Sequence, residues 1–346
     1  MSTDRISVAL CTCNGAAFLR EQLSSIESQT LLPAEIVISD DCSVDGTKEI
    51  VSAFAASSRI PVRYYANEER IGVVRNFNMA VQGCSEPYIA LCDQDDVWLP
   101  DKLALEMSLL HDAERDLGQY VPLLVHSDLT VVDSKLVLLH GSLRRYQKLH
   151  HADRRPLGSL LVQNFVTGCT VLMNRPLMGI ALPFPQSVLM HDWWLALCAA
   201  VCGEIRTLPI STVLYRQHDR NKVGAENFWQ IAMEKSLRYL VKYQSEDWKA
   251  ANEFYAKIRQ AAALHEHVGG VAGHHVRHDV LQDLVHFLRI FDPDLSAMDR
   301  LNRAVACRVR PTMLLQQCHY FLRVARWRPE VNAKTSAFEH ENSGPM

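Results

Sequence analysis

The sequence has no marked charge excess, no C-x-x-C pair and no long hydrophobic run. Its 36 basic and 39 acidic residues give a formal net charge of -3, so the overall balance offers no reason to expect a nucleic-acid partner. Among the ten cysteines the closest spacings are Cys11/Cys13 and Cys198/Cys202, which argues against a zinc knuckle or a disulfide framework. The longest apolar stretches, such as Leu195–Cys202, are far shorter than the roughly 20 residues of a membrane span.

Two phosphate-binding motifs are also missing. The chain contains neither G-x-G-x-x-G nor G-x-x-x-x-G-K-[ST], so the sequence supports neither a dinucleotide site nor a P-loop. The first residues carry an acid at Asp4 and lack the apolar core of a signal peptide. We therefore expect a cytoplasmic protein, whose only membrane contact would be peripheral, at the inner face of the cell membrane.

What is present is a globular composition, with 346 residues of which 48% are hydrophobic and 22% charged. Short apolar runs alternate with helical patterns, which predicts an α/β fold with a mostly parallel sheet flanked by helices. Strands are predicted at Ile6–Leu10, Glu35–Ser39, Val62–Tyr65, Tyr88–Cys92, Val121–Val125, Val131–Leu139 and Cys169–Met173.

The texture of the sequence changes near residue 226, where long helical periodicity replaces the alternation. We therefore predict a domain boundary there, with a first domain over residues 1–225. A helical C-terminal region over 226–330 and a polar tail over 331–346 would follow.

Polar residues collect where the predicted strands end, which is where ligands bind in open α/β sheets. Asp93-Gln94-Asp95-Asp96 places three acids in four residues after a buried strand, and their mutual repulsion would be relieved by a divalent cation. Mg²⁺ or Mn²⁺, shared with substrate phosphates, suits such a run. The alternative is a solvated turn in which Asp96 or Asp101 caps the next helix.

Asp40 and Asp41 follow another strand, and a carboxylate there could accept the imide hydrogen of a pyrimidine base. An Asp-rich turn that bonds its own backbone is the alternative. Thr12 and Asn14 end the first strand in the same way.

A further candidate for a catalytic residue is the acid in the segment His191-Asp192-Trp193-Trp194. Asp192 could be a general base that aromatic side chains partly shield from water, or the N-cap of a helix whose tryptophans pack in the core. Arg216 and His218, spaced to face the same way on an extended segment, could reach a diphosphate or its metal.

Taken together, these segments resemble inverting glycosyltransferases of family 2, which have the GT-A fold, and in particular the rhamnosyltransferase-like bacterial branch. The resemblance runs from about Ser7 to Gly224 in ordered blocks, which makes it specific. The blocks are Cys11–Gly15, Ile38–Thr47, Gly72–Phe77, Leu91–Lys102, Val166–Thr170, His191–Trp194 and Tyr215–His218.

The resemblance implies that residues 1–225 form a catalytic domain, with a donor half at about 1–100 and an acceptor half at about 101–225. It also implies roles for the donor-binding residues. Asp40 is similar to the acid that binds the pyrimidine, and Arg75 to the basic residue near the base and the diphosphate. Asp93 resembles the first acid of the D-x-D signature, near the ribose. Thr12 and Asn14 belong to the donor site, and the position of Gly168 fits close approach to the donor sugar.

For the chemistry, the resemblance makes Asp95 the metal-binding acid of D-x-D and His218 a residue that joins the metal or the pyrophosphate. Asp192 resembles the catalytic base. Two departures from the family pattern stand out: Cys13 replaces a tyrosine that can pack on the base, and Cys42 replaces a glycine. The turn at Cys42 should be strained only mildly if its φ stays negative.

The implied activity is a metal-dependent, inverting hexosyl transfer, with rhamnose or a similar sugar favoured. The donor would be a dTDP- or UDP-sugar, the acceptor a polysaccharide or a lipid-linked glycan, and the cofactor Mg²⁺ or Mn²⁺; no nucleic acid is involved. Two alternatives are a metal-dependent nucleotidyltransferase and a non-catalytic sugar-nucleotide-binding protein.

The C-terminal third has two further patterns. Seven arginines and no acid lie between Arg300 and Arg328, beside an apolar helical face over residues 314–325. This face is that of a helix packed on the catalytic domain, or of an interfacial helix near anionic lipid. Five histidines lie between His265 and His278, where we expect a solvated helix-turn-helix, with a zinc site as the alternative.

Overall fold

The structure is a computed structural model that describes residues 4–147, 155–219, 248–270 and 276–306, together with Tyr320, Phe321 and Val324. Its strands are β1 (Ile6–Thr12), β2 (Glu35–Asp40), β3 (Val62–Ala66), β4 (Tyr88–Cys92), β5 (Val97–Trp98), β6 (Leu123–Val132), β7 (Leu138–His140), β8 (Val171–Asn174) and β9 (Glu204–Arg216). Its helices are α1 (Leu19–Glu27), α2 (Thr47–Ser57), α3 (Val73–Gly83), α4 (Lys102–Leu117), α5 (Leu143–Tyr146), α6 (Pro156–Leu160), α7 (Arg175–Ala181), α8 (His191–Cys202), α9 (Trp248–Gly270), α10 (His278–Arg289) and α11 (Ala297–Ala306).

One sheet runs in the order β3-β2-β1-β4-β8-β6-β9-β5, and β7 pairs with β6. The first four strands are parallel, as predicted. Beyond them the sheet is mixed, because β8 runs antiparallel to both β4 and β6 whereas β6 and β9 are parallel. Every residue of β1 is buried, which is typical of a strand covered by helices on both faces.

Two elements of the structure differ from the sequence-based prediction. The single strand expected over Val131–Leu139 is a hairpin: β6 ends at Val132, and the Asp133 carboxylate accepts the N–H groups of Lys135 and Val137 at 2.8 Å each. The sequence interpretation also missed β9. Pro209 interrupts its alternating pattern where the pairing register with β6 shifts, since proline cannot donate to the ladder.

Buried side chains form two clusters on the two faces of the sheet. Successive residues of β1 alternate between them, with Leu10 in one and Ala9 in the other. Helix α8 is buried along its whole length, and its Trp194 indole N–H donates to the carbonyl of Ala181 at 3.0 Å. Leu264 of α9 and Leu284 of α10 pack in the same cluster as α8.

Most of the basic segment and the whole tail over 331–346 lie outside the described residues, as do His274 and His275. The domain boundary near 226 therefore stays a prediction. Of the described histidines, His267 forms a hydrogen bond with the carbonyl of Ile180 at 2.6 Å. None of the described helices combines the length and the apolarity needed to cross a membrane.

Candidate active site

A cavity of about 940 Å³ opens at the carboxyl ends of β1, β2 and β4. The polar side chains that reach it come from both halves of the sequence. They include Thr12, Asp41, Asp93, Asp95, Asn164 and Asp192. The cavity thus brings together acids that are up to 151 positions apart in the chain, from Asp41 to Asp192. Asp41, Asp93 and Asp95 meet there because they follow parallel strands that end on one edge of the sheet.

The acidic run after β4 is crowded, as the sequence predicts. Asp93 and Asp95 line the cavity, whereas Asp96 is fully buried beneath them. Burial and then the charges of Asp96, Asp95 and Asp192 raise the pKa of Asp93 well above its ordinary value. Burial, followed by the charge of Asp95, raises the pKa of Asp96 to about 8.

The solvated-turn alternative does not fit this burial. Asp96 Oδ1 accepts the backbone N–H of Arg216 at 3.1 Å, but its Oδ2 has no hydrogen-bond partner in the described part of the chain. Asp93, Asp96 and Cys169 each present a ligand atom, and these atoms lie within 4.8 Å of one another. A buried, mutually repelling acid set with an unpaired oxygen fits a hard divalent cation.

Asp95 and His218, predicted as a metal pair, do lie together. His218 Nε2 is 2.9 Å from Asp95 Oδ2, and its ring stacks on Phe18 with centroids 4.7 Å apart. The pair lies 123 positions apart in sequence, and the end of β9 brings the histidine to the acidic run.

Arg216 has a different position from the one expected. Its side chain is 2% exposed, and its guanidinium donates to the carbonyls of Asp95 and Ser134, both at 2.7 Å, and to Glu21. These contacts use its donors inside the protein. In the structure Arg216 therefore holds the acidic run in place, and its direct contact with a donor stays a prediction.

The two adjacent acids at the end of β2, Asp40 and Asp41, accept hydrogen bonds from different parts of the chain. Asp40 turns inward and accepts hydrogen bonds from the Thr12 hydroxyl and from the N–H and hydroxyl of Ser43. Asp41 lines the cavity and accepts the N–H groups of Ile71 and Gly72 at 2.7 and 3.0 Å. Of the two acids, Asp41 lines the cavity, and Asp40 supports the loop beneath it.

Arg75 and Asn14, both predicted to contact the donor, are not among the residues that line the cavity. Arg75 is exposed in the first turn of α3, and Arg70 in the preceding loop lines the cavity instead. Asn14 accepts the N–H of Val44 at 2.9 Å and takes a positive φ of 52°, which asparagine tolerates. It closes the turn after β1.

The turn at Cys42 corrects a further expectation. Its φ is +56°, in the left-handed region, rather than negative. A residue other than glycine in this region costs roughly 1 kcal/mol of backbone strain. Cys42 carries this strain at the position where the family pattern has glycine. Cys13 does border the cavity, and its backbone N–H donates to Gln94 Oε1 at 2.8 Å.

Asp192 is the second residue of α8 and is 8% exposed. Its Oδ2 accepts the N–H of Gly168 at 3.0 Å, and its Oδ1 accepts the N–H of Trp193 at 2.6 Å. The N-cap position belongs to Met190, so the simple capping alternative does not describe it. Despite these bonds, burial raises the pKa of Asp192 to about 6.

Gly168 has a steric reason to lack a side chain. A Cβ there would lie 2.7 Å from His191 Nε2 and 3.6 Å from Asp192 Cβ. His191, Arg70 and Asn76 line the cavity and were not predicted as site residues. His191 had one available signal, its position directly before Asp192.

The sheet order, with the acidic cavity at its strand ends, fits the GT-A fold. Residues 7–173 match the model of the family described as Glycosyl transferase family 2. The chain therefore carries a glycosyl transferase family 2 domain, and the sequence-based assignment is confirmed.

Among curated relatives, an uncharacterised protein of Mycobacterium tuberculosis is 30% identical over 232 residues, which cover 66% of this chain and 61% of the relative. The dTDP-rhamnosyl transferase RfbG of Shigella flexneri is 26% identical over 230 residues, covering 62% of this chain and 74% of the relative. The chain thus matches about three fifths of the mycobacterial relative's length.

Two solved structures confirm the GT-A fold. Residues 1–349 of S. aureus TarS align with a TM-score of 0.50 at 14% identity, covering 87% of this chain and 86% of TarS. The mannosyltransferase PcManGT from Pyrobaculum calidifontis, solved in complex with GDP-Man and Mn²⁺, aligns with a TM-score of 0.50 at 20% identity, covering 78% of this chain and 76% of that one. At these identities the likeness concerns the fold alone.

Proposed function

We propose that this protein is an inverting, metal-dependent hexosyltransferase that uses a nucleoside-diphosphate sugar. The observation that carries the proposal is Asp192, a buried carboxylate with a pKa raised to about 6, in the same cavity as the acidic run after β4. Such a group is ionised at neutral pH and yet more basic than an exposed aspartate. This combination suits a general base.

In this mechanism Asp192 takes the proton of the acceptor hydroxyl as the hydroxyl oxygen attacks the anomeric carbon. The diphosphate leaves from the opposite face, so a single displacement inverts the configuration. The N–H groups of Gly168 and Trp193 fix the carboxylate in position and favour its charged form. The protein contributes positioning and electrostatics and forms no covalent intermediate.

Asp93 and Asp95, with His218 beside Asp95, are the residues that would hold a divalent cation, Mg²⁺ or Mn²⁺. Such a cation supplies positive charge next to the leaving diphosphate. Asp96 supports the run from below, and the Arg216 backbone N–H bonds its Oδ1. The complex of PcManGT with Mn²⁺ supports this choice of metal class.

For the donor, we propose that Thr12, Asp41 and Arg70 face the nucleotide, with the small residue Gly168 near the sugar. The name of RfbG supports a dTDP-sugar and a rhamnose-like hexose. UDP remains the other candidate nucleotide, since WfgD of Escherichia coli, 23% identical, is named for UDP-Glc.

For the acceptor, we propose a glycan of a cell-surface polysaccharide or a lipid-linked oligosaccharide. WfgD is named for transfer to GlcNAc-diphosphoundecaprenol, and TuaG of Bacillus subtilis for teichuronic acid biosynthesis. Such acceptors place the enzyme in the cytoplasm, in peripheral contact with the inner face of the cell membrane.

The experiment is a screen of UDP-glucose, UDP-N-acetylglucosamine, dTDP-rhamnose and GDP-mannose for hydrolysis, with Mg²⁺ or Mn²⁺. Release of nucleoside diphosphate that is lost in Asp192→Asn supports the proposal. The matched control is Asp299→Asn, which makes the same change in the first turn of α11. Pyrophosphate release from a nucleoside triphosphate and a sugar phosphate would instead indicate a nucleotidyltransferase, and binding without turnover a non-catalytic protein.

A further inference from the structure

His191, the first residue of α8, is a buried side chain at the cavity that the mechanism above does not use. It is 3% exposed, it lines the cavity, and it directly precedes Asp192. Its imidazole stacks on the ring of Phe77 in α3, with centroids 3.6 Å apart and planes 14° from parallel. This stacking fixes the plane of the imidazole.

Neither His191 Nδ1 nor His191 Nε2 has a hydrogen-bond partner among the residues that the structure describes. Buried polar atoms are paired in most proteins, and leaving one unpaired costs free energy. Nε2 packs closely against Gly168, where a Cβ would lie only 2.7 Å away. The ring is therefore held at the edge of the cavity with both nitrogens buried and unpaired among the described residues.

The chemistry of the missing partner follows from the charge state of the ring. Burial lowers the pKa of His191 to about 3, so the imidazole is neutral at physiological pH and offers one N–H donor and one acceptor nitrogen. A neutral ring is a poor partner for a phosphate. A sugar hydroxyl, which both donates and accepts, satisfies it.

We infer, on the basis of the proposed function, that His191 is a specificity-determining residue that hydrogen-bonds a hydroxyl of the transferred sugar. Asp192 must face the acceptor hydroxyl, whereas His191 packs on α3, the helix of the donor half. Asp41 accepts N–H groups from the loop that leads into α3, so this helix connects the nucleotide end of the cavity to the imidazole.

The test compares a nucleoside diphosphate with its sugar nucleotide. His191→Phe keeps a ring that can stack on Phe77 and removes both nitrogens. By calorimetry with Mg²⁺ we expect UDP and dTDP to bind the variant as they bind the wild type. The sugar nucleotide that the wild type prefers, UDP-glucose or dTDP-rhamnose, should bind about tenfold more weakly, the effect of one lost hydrogen bond.

The melting temperature is a second measurement, and a purely structural role of His191 predicts the opposite change in it. His191→Phe should leave the melting temperature unchanged or raise it, because two unpaired buried nitrogens are removed. The matched control is His126→Phe on β6, where the imidazole is buried but contacts the Thr207 hydroxyl at 3.1 Å. This control should lower the melting temperature and leave the preference for the sugar nucleotide intact.

The outcomes separate the two proposals. A lower melting temperature with unchanged sugar-nucleotide affinity in His191→Phe would make the residue structural and overturn the inference. An equal loss of affinity for the diphosphate and the sugar nucleotide would overturn it as well. If the wild type binds sugar nucleotides through His191 but never turns them over, the proposed activity fails and the inference stands. If the wild type binds no sugar nucleotide, both fail.

Discussion

Replacing Asp192 with asparagine should separate chemistry from binding. The amide has nearly the shape of the carboxylate but cannot take a proton, so transfer to the acceptor should fall by at least ~100-fold, within the usual range for a general base. Donor affinity should change little, because the proposed nucleotide contacts lie at Thr12, Asp41 and Arg70.

The structure also bounds the effect on stability. In the wild type the two carboxylate oxygens accept one N–H group each, from Gly168 and from Trp193. Asparagine has a single acceptor oxygen, so one of these bonds is lost, at a cost of about 1 kcal/mol. The same change removes the penalty of burying a charge, which acts in the opposite direction. We therefore expect a folded protein with a small shift in stability.

The pH profile provides a second measurement. With a pKa of about 6, Asp192 is roughly nine-tenths ionised at pH 7 and roughly one-tenth ionised at pH 5. A base must be ionised to act, so kcat/KM should fall about tenfold between these values as the pH decreases. This fall in kcat/KM at low pH should be absent in Asp192→Asn, because the residual rate of the variant does not depend on the protonation of residue 192.

The assay measures the donor dissociation constant and the transfer rate on the same preparation, with circular dichroism to confirm folding. Wild-type transfer by Asp192→Asn would remove the residue from the mechanism. A parallel loss of donor affinity and transfer would show that Asp192 holds α8 and its tryptophans in place rather than acting on the acceptor.

Three further substitutions test the surroundings of the site. Asp95→Ala should abolish the metal-dependent part of donor affinity and turnover while the fold survives, because it removes one of the repelling acids; near-normal turnover at saturating Mn²⁺ would refute the metal assignment. Cys13→Tyr should tighten UDP binding by on the order of 1 kcal/mol if the added ring stacks on the base, and calorimetry that shows no gain in an intact fold would mean that Cys13 does not border it. Cys42→Gly should be neutral or stabilising by up to about 1 kcal/mol in urea unfolding, since glycine relieves the positive φ of +56° but adds entropy to the unfolded chain; a lower midpoint would show that the Cys42 side chain matters more than its backbone.

The position of the acidic run could be predicted from the sequence for a physical reason. A buried strand followed by several acids has to end at the carboxyl edge of the sheet, and that rule holds for Asp93 and Asp95. The four parallel strands follow from the alternation of strands and helices in the same way. Helix α8 entered the sequence analysis only through the alternative of an N-cap at Asp192, because the helix is apolar on all sides and has no helical stripe.

Sequence reasoning alone could not decide which of two similar residues lines the cavity. Asp40 and Asp41 are chemically identical neighbours, and only the backbone after β2 decides that Asp41 faces the cavity. Arg75 and Arg70 differ in the same way. Helix α3 begins at Val73, so its first turn carries Arg75 outward, while the loop before it carries Arg70 to the cavity.

The end of β9 links these observations, because it positions the acidic run from the far side. Arg216 donates its backbone N–H to Asp96 and its guanidinium to the carbonyl of Asp95, and His218, two residues later, reaches the Asp95 carboxylate. A repelling set of acids keeps its geometry only if something outside the set holds it, and here one strand end supplies both the support and a candidate metal ligand. The spacing of Arg216 and His218 predicted that both could reach a diphosphate or its metal, and in the structure both contact Asp95. The sequence did not predict that Arg216 lies beneath the run and His218 beside it. The position of Arg216 depends on contacts with Glu21 and Ser134, which are distant from β9 in sequence.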